Sequence, residues 1–148
     1  MNSRRTWVPI LFLVSFAVIA GCSNEDSRVV GEWKETFVGD DGSRKPGADL
    51  TIDKDHHWRE LFRNLELKGS WSLSGNLLTL KIETFGQYSL EEARRRILVS
   101  AKDPKLAAAA NSMAAGLDKP VDLNISEDGK TLSRRDEPLH ATAIFERH

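Results

Sequence analysis

Gly69-Ser70-Trp71-Ser72-Leu73-Ser74-Gly75-Asn76-Leu77-Leu78-Thr79-Leu80-Lys81-Ile82 reads as two strands joined by a turn. Leu78, Leu80 and Ile82 fall on one face at a period of two, and Ser74-Gly75-Asn76 supplies the turn residues between the runs Gly69–Leu73 and Leu77–Phe85. Working upstream, Leu50-Thr51-Ile52-Asp53 and Trp58-Arg59-Glu60-Leu61-Phe62 are β-prone runs around the polar Lys54-Asp55-His56-His57, a second hairpin. Before them, Val29, Gly31, Trp33, Glu35 and Phe37 alternate with Val30, Glu32, Lys34 and Thr36, a first strand. Gly39-Asp40-Asp41-Gly42-Ser43 and Pro46-Gly47 read as loop.

Downstream the period changes. Ser89 followed by Glu92 has capping-box spacing ahead of the helix formers Leu90–Val99. Asp103-Pro104 reads as an N-cap with proline at the first helical position of an alanine-rich run that stops at Gly116, with Leu106, Ala110, Met113 and Leu117 as its apolar stripe. After Pro120, Val121, Leu123 and Ile125 alternate with Asp122, Asn124 and Ser126. Asp128-Gly129 is a hairpin turn, and Thr131–Arg135 and Ala141–Arg147 complete about eight strands. The expected fold is mainly β, a small antiparallel up-and-down barrel or half-barrel with a two-helix insert, residues 89–117, before the last strands.

Ahead of this domain, Arg4 and Arg5, an apolar run from Trp7 to Ala20 and then Gly21-Cys22 follow the basic, apolar, small-residue order of a signal peptide. The run is too short to span a membrane, contains Pro9, and gives way to polar residues at Ser23. Ile19-Ala20-Gly21-Cys22 resembles the lipobox of bacterial lipoproteins. That resemblance implies cleavage of residues 1–21, acylation of Cys22 with chains such as palmitate, and a short tether, residues 22–28, ahead of a domain over residues 29–148. Ser23 in place of aspartate after the cysteine implies the outer membrane, facing the periplasm. Cys22 is the only cysteine, so it has no disulfide partner within the chain.

Cleavage would remove two of the 21 basic residues and none of the 22 acidic ones, leaving 127 residues with a net charge of −3. That length makes one domain with a real core. The mildly acidic, interspersed charge carries no nucleic-acid footprint.

Gly31-Glu32-Trp33 resembles the Gly-x-Trp signature of the lipocalin and wider calycin group, and Phe145-Glu146-Arg147 is similar to the aromatic-to-arginine ending of bacterial lipocalin-like lipoproteins. The resemblance implies a structural signature of Gly31, Trp33 and Arg147, with the arginine over the indole at the closed end of a barrel.

Trp33, Trp58 and Trp71 each fall on a predicted strand, as core or as the lining of a pocket for a small apolar ligand. Asp53, Asp55, His56, His57 and Glu60 form the densest group of potential metal ligands, but their spacing matches no zinc or calcium pattern, so no metal or other cofactor is expected. Glu35 and Glu60, with His57 nearby, form the best catalytic constellation. They are read as rim or surface groups, and catalysis would need the two glutamates to converge in a cleft. Asp40-Asp41-Gly42 reads as a turn and Arg94-Arg95-Arg96 as a solvated helix face. No nucleophile elbow or phosphate loop is present. The expectation is a non-enzymatic lipoprotein that binds a small apolar ligand, with an envelope protein as the alternative partner.

Overall fold

The computed structural model describes residues 26–101 and 104–148. The expected signal peptide, the expected lipidation site Cys22 and the expected cap Asp103 lie outside the described residues. The elements in order are a 3-10 turn Asp26–Arg28, β1 Gly31–Gly39, β2 Arg44–Ile52, β3 His57–Phe62, β4 Leu65–Ser74, β5 Leu77–Phe85, the two-residue β6 Tyr88–Ser89, α1 Leu90–Ser100, α2 Pro104–Gly116, β7 Val121–Ile125, β8 Thr131–Asp136 and β9 Ala141–Arg147.

Every strand pairs antiparallel with its neighbours, and eight of them close on themselves. β9 pairs with β1, as in Trp33↔Arg147 and Glu35↔Phe145, while β4 pairs with β5 from Leu67↔Phe85 to Ser74↔Leu77. The insert joins β5 to β7, which pair from Leu77↔Asn124 to Leu80↔Val121, and β6 pairs only with the far end of β5. The fold is therefore a closed up-and-down barrel with two helices before its last strands. A barrel of eight strands has an interior just wide enough to fill with side chains or to hold one small molecule.

The half of the interior around the start of β1 is filled. Trp33, Leu50, Ile52, Trp58, Trp71, Leu78, Leu80, Leu123, Leu132 and Phe145 form one buried cluster. Each indole N–H is satisfied by a backbone carbonyl: Trp33 donates to Val29 at 2.9 Å, Trp71 to Asp53 at 2.9 Å, and Trp58 to Ser70 and Lys81 at 3.0 and 3.1 Å. Gly69 makes this packing fit, since a Cβ there would stand 1.8 Å from the Lys81 carbonyl oxygen.

This end is also tied shut. The Arg147 guanidinium lies 4.6 Å from the Trp33 ring centroid and donates to the carbonyls of Val30 and Arg28 at 2.9 and 2.6 Å. Gly31, at φ +145°, leaves room for it, because a Cβ would come within 3.1 Å of Arg147 Nη1. Arg28 in turn donates to the Gly75 carbonyl at 2.8 Å, fastening the entering chain to the β4–β5 turn.

Two local expectations are corrected. Pro46-Gly47 is not loop but part of β2, where the register of β1 on β2 shifts between Lys34 and Thr36 and both Gly47 and Ala48 face Glu35, a β-bulge. Along α2 Met113 is half exposed and its neighbour Ala114 is buried in its place, while Leu117, the stripe residue just past the helix end, is buried as expected. The arginines of α1 lie on a solvated face and make surface pairs there: Arg94 with Asp118, Arg95 and Arg96 with Glu92, and Arg96 also sits 4.2 Å from the Tyr88 ring centroid. Ser89 does cap α1, its hydroxyl accepting from the Glu92 N–H at 3.3 Å. Among the described residues no helix is long and apolar enough to cross a membrane.

Candidate functional site

The same alternation that turns Trp33 inward turns Glu35 inward one step further along β1. Its surroundings are built to receive a carboxylate. The Ala48 N–H, turned toward it by the bulge, donates to Glu35 Oε2 at 2.9 Å. Gly47 beside it has no side chain, and a Cβ there would fall 2.3 Å from that same oxygen. Glu35 is thus 3 % exposed, among the described residues the one charged side chain in the buried set.

Across the barrel, Leu132, Arg134 and Asp136 take the inward positions of β8. Arg134 Nη2 stands 3.6 Å from Glu35 Oε1, an ion pair but too long for a hydrogen bond. Glu35 Oε1 and Arg134 Nε are consequently both buried with no hydrogen-bond partner. Buried polar groups are nearly always satisfied, so such a pair points to something that completes it.

Glu60, on the inward face of β3, joins them. Glu35, Glu60 and Arg134 line one cavity of 340 Å³ whose other walls are Phe37, Phe62, Leu65, Leu67 and Leu139. It opens at the end of the barrel opposite Arg147, where Phe62 and Leu139 are 41 % and 62 % exposed. A recess of 220 Å³ continues past Phe37 and Leu139 to Ser43 and Lys45. Asp40 and Arg135 brace the outside of this mouth through a two-pronged pair at 2.6 and 2.9 Å, which draws the Asp40 carboxyl below its ordinary range.

Burial pushes the Glu35 carboxyl above its ordinary value, against the opposing pull of the Ala48 N–H and Arg134. Burial raises Glu60 as well, and the Glu35 charge adds to it, while Arg134 opposes.

The sequence-stated candidates are redistributed. Glu35 and Glu60 converge, but inside the barrel rather than on its rim or surface. His57 does not join them: it is exposed, beside Asp53, Arg59 and Lys68 in an outer recess. His56, at φ +65°, stacks on Trp71 with ring centroids 4.4 Å apart. Among the described residues no group of three or more His, Cys, Asp or Glu side chains is gathered for a metal. Trp33, Trp58 and Trp71 are packed in the filled half and do not line the 340 Å³ cavity, so a pocket walled by them is replaced by one at the other end. Phe37 keeps the inward face that the alternation assigned it, and what the sequence reading missed is Arg134 and Leu139. Arg134 was readable from parity, since it sits two residues from the inward Leu132 on its strand. Leu139 lies in the β8–β9 turn, where no period applies.

A scan against protein-family models and a search of curated proteins each return no match. Among solved structures, the chain is similar to an uncharacterized protein from Bacteroides eggerthii DSM 20697, with a TM-score of 0.51 and 15% sequence identity over 80% of this chain and 98% of that one. Identity that low speaks for the barrel alone.

Proposed function

We propose that this chain is a lipocalin-like lipoprotein, cleaved before Cys22 and tethered by lipid to the outer membrane, whose barrel mouth binds a small, largely apolar molecule without transforming it. The observation that carries the reading is the 340 Å³ cavity, walled by Phe37, Phe62, Leu65, Leu67 and Leu139 and floored by buried polar groups that lack partners. Apolar walls with a few convergent polar groups are the usual build of a small-molecule site, and this volume lies at the small end of the range.

The placement of the termini fits a tethered binder. The described chain enters at the Arg147 end, and the four residue steps from Cys22 to Asp26 span at most about 14 Å. An anchor on Cys22 therefore holds the filled end toward the membrane and leaves the mouth facing away from it.

Native mass spectrometry of the protein purified from a bacterial envelope is expected to find a retained small molecule, lost in Leu67→Trp, which fills the cavity. An empty wild-type protein, or retention unchanged in L67W, contradicts the reading. The anchor is checked by labelled palmitate, incorporated by the wild type and not by C22A. The exposed Phe62 and Leu139 at the mouth favour one second reading, a protein-interaction module such as an assembly factor or hydrolase inhibitor. Cross-linking from Leu139 to an envelope protein, together with an empty cavity, would support it.

A further inference from the structure

The charges on the floor of the mouth are unequal. Glu35 and Glu60 line the cavity with Arg134 as the lone cation among its lining residues, and Asp136 acts on Glu35 from the same strand as Arg134. Arg135, next in sequence, is engaged by Asp40 outside the mouth. Lys45 stands in the adjoining recess beyond Phe37 rather than on this floor. One guanidinium thus shares the cavity with two carboxyls, and its contact with Glu35 is 3.6 Å.

The unmet hydrogen bonds point the same way. Glu35 Oε2 is occupied by the Ala48 N–H, but Oε1, fully buried, has no donor. A donor is what the site lacks most, and a charged one would also offset the excess of carboxylates. Arg134 Nε–H is the complementary vacancy and calls for one acceptor close by.

Resting on the proposed small-molecule function, we infer that the ligand is a cationic amphiphile: an apolar body along Phe37, Phe62, Leu67 and Leu139 that carries a protonated amine, whose N–H groups donate to Glu35 Oε1 and the Glu60 carboxylate. An oxygen near that amine, as in an amino alcohol or an amino amide, accepts from Arg134 Nε. A fatty carboxylate suits the floor poorly, because pairing with Arg134 brings it against two like charges. A neutral alcohol leaves the excess charge unmatched.

The test is calorimetric titration of the full chain in nanodiscs at neutral pH with hexylammonium, 1-hexanol and hexanoate, three probes of one chain length, with empty nanodiscs subtracted. Hexylammonium is expected to bind at least about tenfold more tightly than hexanol, the scale of a charged hydrogen bond, and hexanoate most weakly. Glu60→Gln is expected to reduce the advantage of the amine over hexanol, since one of its two carboxylate acceptors is lost. Tightest binding by hexanoate makes Arg134 the head-group partner and overturns the inference. So does equal binding of all three, or an amine preference untouched by E60Q. In those cases the apolar pocket still stands. Binding by none of the three removes both, and because the wild-type series decides this alone, a poorly folding variant leaves the result intact.

Discussion

The two ends of this barrel are made from the same strands and the same alternation, yet they are finished in opposite ways. At the Arg147 end the indole N–H groups of Trp33, Trp58 and Trp71 all find backbone carbonyl partners. At the Leu139 end the inward positions carry Glu35, Glu60 and Arg134, and two of their polar atoms are buried without partners. One end is organised for stability; the other accepts strain that a bound molecule could relieve. Stability and function are commonly traded in this way.

Substitutions should separate the two ends, the largest loss coming from the filled one. Trp33→Ala removes a side chain that is 1 % exposed from the centre of the buried cluster and is expected to lower stability by about 3–5 kcal/mol, read by denaturant unfolding. A loss well under this range means that the filled end can collapse around the void and is looser than its contacts imply.

At the mouth, Gly47→Ala places a methyl group where the Glu35 carboxylate now sits. The expected loss is about 1–3 kcal/mol, since either the bulge or the buried glutamate must move. Measured in the double variant G47A/E35A, most of that loss should vanish, because the collision partner is gone. Additive losses would show that the bulge is strained by something other than the carboxylate.

Arg147→Ala strips the closed end of its exposed clamp. Guanidinium contacts to an indole and to two carbonyls at a solvent boundary suggest about 1 kcal/mol. The same variant should leave probe binding at the mouth unchanged, as the two ends share no side-chain contact through Arg147. Altered binding would mean that the ends are coupled.

How much of this was legible in the sequence follows from the same contrast. Strands with strict alternation, such as Leu78-Thr79-Leu80-Lys81-Ile82, disclose both their type and their inward face, and the helical insert disclosed itself through Ser89, Glu92 and Gly116. The Pro46-Gly47 pair misled because its residues favour turns, whereas here glycine answers a tertiary demand, the proximity of Glu35. Glu35 and Glu60 were placed on the right face by parity and then assigned to the rim, on the general rule that charged residues avoid interiors. The rule gives way where a bulge N–H and a cross-barrel arginine receive the charge, and neither is local in sequence. The tryptophans were left open between core and pocket lining, because aromatic content marks both alike, and the closed barrel packs all three into its filled half.

The smallest expected change is also the one with opposite sign. Glu60 lies half-buried with its carboxyl raised above the ordinary 4.5, first by burial and then by Glu35. Between 4.5 and its folded value the folded protein holds this proton more tightly than the unfolded chain, so the associated stability is present in acid and is lost as pH rises through that window. Glu60→Gln removes the penalty of a buried negative charge while keeping the shape of the side chain. At neutral pH it should stabilise the protein, by about 1 kcal/mol at most, and near pH 4, where both carboxyls are protonated, it should change little. Thermal melts of both proteins at the two pH values decide the matter. If E60Q instead weakens the fold at neutral pH, Arg134 already compensates the Glu60 charge, and the mouth is a satisfied network like the other end rather than one left open for a ligand.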